Sequence, residues 1–224
     1  MYRRLKGLQR VDLFWAGVAI VSMVCFALLT ALVVAGRTVV VDHDLILVLR
    51  ASASPVLTTA LLAVTFTSGR LAVVAAMLFA FLLYRRDGWR TSSYYVMACV
   101  TAQLLNLVLK YAFHRVRPHG ISPRLTAAGG FSYPSADVMM AVVIFGLGAL
   151  ILSRTLASRG RRIMVRAIAV TFVMAAAIAR VYLGAHWPSD ALAGILAGVA
   201  CSAIWAASAI SPTMRPPALD TKTI

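Results

Sequence analysis

Val11-Asp-Leu-Phe-Trp-Ala-Gly-Val-Ala-Ile-Val-Ser-Met-Val-Cys-Phe-Ala-Leu-Leu-Thr-Ala-Leu-Val-Val-Ala35 holds one charged side chain in 25 residues. An α-helix rises 1.5 Å per residue, so about 20 apolar residues cross the ~30 Å hydrocarbon core of a bilayer. Arg3, Arg4, Lys6 and Arg10 precede the run, which gives it the charge pattern of a signal peptide. Its apolar core is longer than the roughly 7–15 residues of such peptides. The stretch therefore reads as an uncleaved signal anchor and first membrane span.

Five more segments have the same character, at about 68–84, 92–113, 135–153, 163–183 and 188–210. The start of the first is blurred by the Thr67-Ser68-Gly69-Arg70 break. Residues 38–66 are interrupted by Asp42, His43, Asp44 and Arg50 and then by Pro55. They fit an interfacial amphipathic helix leading into the second span better than a span of their own; seven spans is the alternative. The expected fold class is all-α, a polytopic membrane helical bundle of six transmembrane helices plus that interfacial helix. One membrane-embedded domain covers 1–211, and 212–224, with Pro212, Pro216 and Pro217, reads as a disordered cytoplasmic tail.

Composition agrees, since the chain is 61% hydrophobic and 13% charged, about half the charge of a soluble domain. The net charge of +15 does not indicate a nucleic-acid partner, because the cations sit in short segments between apolar runs. With both termini inside, the cytoplasmic segments hold 14 of the 22 basic residues, as expected from the excess of Lys and Arg in cytoplasmic loops. The expected location is a bacterial-type cell (inner) membrane. Cys25, Cys99 and Cys201 lie inside apolar runs and are expected to be packing residues. Trp15, Trp89, Tyr94, Tyr95 and Trp187 suit interfacial belts.

Three clusters lie at the outer ends of spans in this topology. Lys110 and Arg117 are about two helical turns apart and share a face if the helix continues. Ionisable groups at membrane depth are costly and point to function, whereas Arg115 fits a headgroup contact. Tyr133-Pro134-Ser135-Ala136-Asp137 opens an apolar helix, and its first backbone N–H groups are free for an anion. Taken alone, it is an ordinary helix start with Ser135 and Asp137 as caps. In Arg180-Val-Tyr-Leu-Gly-Ala-His186-Trp-Pro-Ser-Asp190, the carboxylate four residues on can accept a hydrogen bond from one imidazole nitrogen and activate the other. Three cations, a helix N-terminus and a His–Asp pair are what phosphoryl transfer needs: charge neutralisation and an in-line nucleophile. The 114–134 connection, rich in Gly and Pro, suits a lid or headgroup entry. The charges gather at one face, which argues against a channel or transporter path. No metal-ligand cluster is visible, so metal-independent chemistry without a cofactor is expected.

Lys110-x6-Arg117-Pro118, Pro134-Ser135 and Arg180-x5-His186-x3-Asp190 resemble the motifs of the type 2 phosphatidic acid phosphatase superfamily. The motifs span 110–190, and the six-span plan extends the likeness over most of the chain. The resemblance implies a double displacement in which His186 attacks phosphorus and water hydrolyses the phosphohistidine. It further implies that Asp190 orients His186, and that Lys110, Arg117 and Arg180 clamp the phosphate, with Ser135 and the backbone at Ala136. The implied partners are a lipid phosphate or diphosphate and membrane lipids.

The chain departs from the family at two places. The second motif, usually Pro-Ser-Gly-His with the His protonating the leaving group, here ends in Ala136-Asp137; the usual Ser before the third-motif Arg is Ala179. Beside three cations Asp137 is expected to be ionised and a poor proton donor. A lipid alkoxide needs a donated proton to leave; a phosphate leaving group, with a second pKa near 6, hardly does. Polyprenyl diphosphate is therefore favoured over a monoester, with His114 or His119 as substitute acids. A specialised substrate, a slow enzyme, and a natural or engineered loss of activity all stay open. So do two other roles, a silent lipid-phosphate binder or accessory subunit and a lipid phosphotransferase.

Overall fold

The computed structural model describes residues 2–119, 125 and 129–210, with side chains for 13–119, 125, 129–206. The expected tail at 212–224 and most of the glycine-bearing part of the 114–134 connection lie outside the described residues. Seven helices follow in order: α1 Tyr2–Val34, α2 Val39–Ala51, α3 Pro55–Asp87, α4 Trp89–Phe113, α5 Ala136–Ser153, α6 Arg159–Tyr182 and α7 Pro188–Ile210. All except α2 contain a stretch long and apolar enough to cross a membrane, which gives six spans.

The expected boundaries shift at the second span. The segment 38–66 is not one interfacial helix: α2 ends at Ala51, and α3 begins at Pro55, thirteen residues before the expected start. The local chemistry explains the new start, because Ser54 Oγ accepts from the Leu57 N–H at 3.2 Å and Pro55 occupies the first turn, a proline position that costs no helical hydrogen bond. The break at Thr67–Leu71 is a π-helical turn inside a continuous 33-residue helix. A second π turn, Val142–Leu147, interrupts α5. There the Tyr95 hydroxyl of α4 donates to the Ile144 carbonyl at 3.2 Å, consistent with the looser ladder of a π turn.

α5 and α7 form the axis of the bundle, with 61% and 67% of their most apolar windows buried against 28% or less in the other spans. Lipid chains are as apolar as leucine, so helices associate in a bilayer through close packing between small residues. α7 supplies them at Ala193, Gly194, Ala197 and Gly198. A Cβ on Gly194 would stand 2.7 Å from the Ser135 carbonyl oxygen, and one on Gly198 would stand 2.7 Å from Val142 Cβ and 2.9 Å from the Met139 carbonyl oxygen. This backbone contact seats the start of α5 on the first turn of α7, where the Ser135 N–H donates to the Asp190 carbonyl at 3.0 Å. Gly198→Ala is expected to cost about 1–3 kcal/mol by overpacking and to lower the melting temperature in detergent. Gly17→Ala, with nothing within 4 Å, is the control that leaves melting unchanged.

Because successive spans run antiparallel, the end of α4, the start of α5, the end of α6 and the start of α7 meet at one end of the bundle. Arg85, Arg86, Arg90, Arg159, Arg161 and Arg162 belong to the opposite end.

Candidate active site

Lys110 and Arg117 do meet, but not along one helix. α4 stops at Phe113, and His114 turns the chain with a left-handed φ of 47°. The segment then folds back, so that both cations reach one acceptor: Lys110 Nζ donates to the Phe131 carbonyl at 2.6 Å and Arg117 Nη2 to the same oxygen at 3.3 Å. Arg117 is buried and also donates to the carbonyls of Gly129, Gly130 and Ala185. Neutral carbonyls thus hold two fixed cations without cancelling their charge, and Lys110 lies within electrostatic reach of Arg117, Arg180, Asp137 and Asp190.

His186 is 1% exposed. Its Nδ1 is 2.9 Å from the Ser132 carbonyl oxygen and its Nε2 is 3.2 Å from Arg117 Nη1. A carbonyl only accepts and a guanidinium only donates, which assigns the proton to Nδ1 and leaves the lone pair on Nε2. The expected hydrogen bond to Asp190 is replaced: Asp190 Oδ2 stands 3.6 Å from Nδ1, beyond hydrogen-bond length. The spacing of four residues brings the carboxylate close, but the Gly184 turn (φ 73°) aims the ring at Ser132. Burial, more than the opposing pull of Asp190, holds the His186 pKa below its ordinary value, with Arg117 and Arg180 acting in the same direction. The ring is neutral with a free Nε2 at neutral pH.

Asp190 is fully buried and takes the Trp187 N–H at 2.9 Å and Arg115 Nη1 at 2.6 Å. Arg115 is therefore not the headgroup contact expected from its sequence position; its guanidinium bridges Asp190 to Asp42 of α2, 2.8 Å from Nη2. Asp42 also accepts from the N–H and Oγ of Ser189 at 2.8 and 2.6 Å. Neither Asp42 nor Ser132 was legible as a site residue, since each partner lies tens of residues away in sequence.

The second motif is held by Asn106, whose Nδ2 donates to the Pro134 carbonyl at 3.2 Å. Ser135 precedes the first turn of α5 without capping it, and its buried Oγ has no partner. Ala136 is the first helical residue, so its N–H has no partner within the helix. Asp137 does not cap α5 either: Oδ2 forms an ion pair with Arg180 Nη2, and Oδ1 faces Gly69 in the π turn of α3. Arg180 Nε is buried without a partner. His114 stacks edge-on to Phe131 at 4.4 Å, and His119 folds back on the Arg117 carbonyl at 3.0 Å. Among the described residues no cluster of His, Cys, Asp and Glu forms a metal-binding group.

All the residues singled out by the three motifs thus gather at one end of the bundle, and the family description PAP2 superfamily matches residues 91–211. The chain belongs to the PAP2 superfamily. Phosphatidylglycerophosphatase B of Bacillus subtilis (strain 168) is 37% identical over 100 residues, covering 44% of this chain and 48% of that protein; the chain thus aligns with about half the length of that relative. The crystal structure of a transmembrane PAP2 type phosphatidylglycerolphosphate phosphatase from Bacillus subtilis superposes with a TM-score of 0.77 at 24% identity, covering 84% of this chain and 93% of that one. Aquifex aeolicus LpxE superposes with a TM-score of 0.58 at 23% identity over 72% and 92%. Both share the PAP2 fold of this bundle.

Proposed function

We propose that this PAP2 protein is a membrane lipid phosphatase that works through a phosphohistidine on His186. The observation that carries the reading is the committed tautomer: Nδ1 is spent on the Ser132 carbonyl, and Nε2 keeps its lone pair beside the Arg117 guanidinium. Nε2 attacks phosphorus, the bond to the lipid oxygen breaks, and the lipid departs with the electron pair. The imidazolium so formed keeps its Nδ1 proton, with the Asp190 carboxylate 3.6 Å away to balance the charge. Water then attacks, the N–P bond returns its electrons to Nε2, and the water proton ends on the released phosphate. Lys110, Arg117 and Arg180 neutralise the phosphate oxygens, joined by Ser135 Oγ and the Ala136 N–H. The sites named for the relatives, phosphatidylglycerophosphate phosphatases among them, agree with a lipid phosphoester as the substrate class.

Within that class, the ion pair between Asp137 and Arg180 favours a diphosphate. A carboxylate held by a guanidinium donates no proton, so the leaving group must depart as a stable anion, which a lipid monophosphate does. An apolar cavity of about 490 Å³ between α3, α5 and α6 runs inward from Thr67, two residues from the glycine facing Asp137. It suits a long hydrocarbon chain such as a polyprenyl group. The charge distribution supports both termini inside and the site on the outer face of the cell membrane.

Purified protein in detergent is expected to release phosphate from a polyprenyl diphosphate faster than from the matching monophosphate. Release from neither would favour the second reading, a silent binder of lipid phosphates, which the Asp137–Arg180 pair motivates. The acid limb of kcat/KM is expected below pH 6.5, because the folded His186 pKa lies under the unfolded imidazole value. The same shift makes the native state lose stability as the pH falls below that value, where the unfolded chain binds more protons. A limb at or above pH 7 would contradict the assignment of His186 as the titrating base.

A further inference from the structure

Asp42 lies in none of the three motifs, on the one helix that is too short to span. It is nevertheless 2% exposed and accepts three bonds of 2.6 to 2.8 Å, from Arg115 Nη2 and from the N–H and Oγ of Ser189. A carboxylate buried this completely needs such partners to offset its lost hydration. Arg115 has a matching double role. Its side chain holds Asp190 Oδ1 at 2.6 Å. Its backbone carbonyl accepts from the Ser132 N–H at 2.8 Å and the Ser132 Oγ at 3.1 Å. Ser132 in turn offers the carbonyl that takes the His186 Nδ1 proton. Both groups that face Nδ1 therefore hang from one residue, and Asp42 fixes that residue to the first turn of α7.

We infer that Asp42 and Arg115 are positioning residues of the site: they hold Ser132 and Asp190 so that His186 keeps its proton on Nδ1 and presents Nε2 to phosphorus. α2 is then a working part of the site and not only its membrane-surface neighbour. The catalytic consequence rests on the phosphohistidine reading above; the tautomer consequence does not. A staple that merely fastens α2 to the bundle predicts something different, a loss of thermal stability with the tautomer and turnover of the folded protein intact.

The test uses the full-length protein in detergent as wild type, Asp42→Asn and Arg115→Ala, with ¹⁵N-labelled histidine. Asparagine keeps the shape and the Ser189 contacts of Asp42 while removing its charge, so this variant is expected to fold. Wild type is expected to show one neutral His186 ring with the proton on Nδ1, and both variants a mixture of tautomers. On a lipid diphosphate, Asp42→Asn is expected to lower kcat about 10–100-fold, the usual cost of removing a partner that orients a functional imidazole, while KM changes less than about threefold. Free guanidinium is expected to restore part of the Arg115→Ala loss, because the 15% exposed side chain leaves a cavity that solvent can reach. A single unchanged tautomer and an unchanged kcat in Asp42→Asn, with only a lower melting temperature, would overturn the proposal. If wild type proves inactive, the tautomer measurement still decides between positioning and stapling.

Discussion

His186→Ala is expected to lower phosphate release from a lipid diphosphate by at least about 10³-fold. Removing the nucleophile of a double displacement deletes the first bond-forming step, and such losses run from about 10³ to 10⁶. The geometry makes a bypass difficult. Direct attack by water would need a base at the position of Nε2, and Arg117, which flanks it at 3.2 Å, is a permanent cation. His114 and His119 are committed elsewhere, one edge-on to Phe131 and the other on the Arg117 carbonyl. The assay needs a binding control, since the three cations remain: retention of a lipid diphosphate should change little while turnover collapses. Labelled phosphorus should become acid-labile and protein-bound in wild type and not in the variant. Equal turnover in the two proteins would sink the phosphohistidine reading outright.

How far the site was legible depends on the range of each interaction. Lys110, Arg117, Arg180, His186 and Asp190 follow from spacing and resemblance because the chain repeats these types at fixed intervals beside span ends. What those residues touch does not follow. The two-turn spacing of Lys110 and Arg117 suggests a shared helical face, yet α4 ends between them at Phe113 and they meet through the Phe131 carbonyl. The interval between His186 and Asp190 suggests a hydrogen bond that Ser132 takes instead. Asp42 and Arg115 are 73 residues apart, and no local pattern announces that pairing. The same division holds for the fold. Long apolar runs mark all six spans, because every backbone group in lipid must be satisfied within its own helix. The start of α3 is misplaced because a π turn at Thr67–Leu71 has the composition of a break, Thr-Ser-Gly-Arg, whereas Ser54 and Pro55 supply the actual start signal.

Asp137→His is the second large effect, and it reads substrate choice rather than catalysis as such. In the wild type the carboxylate pairs with Arg180, so one of the three phosphate-binding cations is already partnered and no proton is offered to a departing alkoxide. Histidine at this position removes the pair, frees Arg180 for phosphate, and supplies an imidazole able to carry a proton near neutral pH. General acid catalysis contributes about 10²–10⁴-fold when the leaving group needs it, so monophosphate hydrolysis is expected to rise by about 10²-fold or more. Diphosphate hydrolysis, whose leaving group is already a stable anion, is expected to change less than about tenfold. The ratio of the two rates is the decisive quantity, because improved phosphate binding alone would raise both together. Asp137→Asn separates the contributions: it removes the charge that holds Arg180 without adding an acid, and is expected to lower KM for both substrates while the ratio stays put. A wild-type enzyme that already prefers monoesters, with a ratio unmoved by histidine, would mean that another group donates the proton and that the Asp137–Arg180 pair opens when substrate binds.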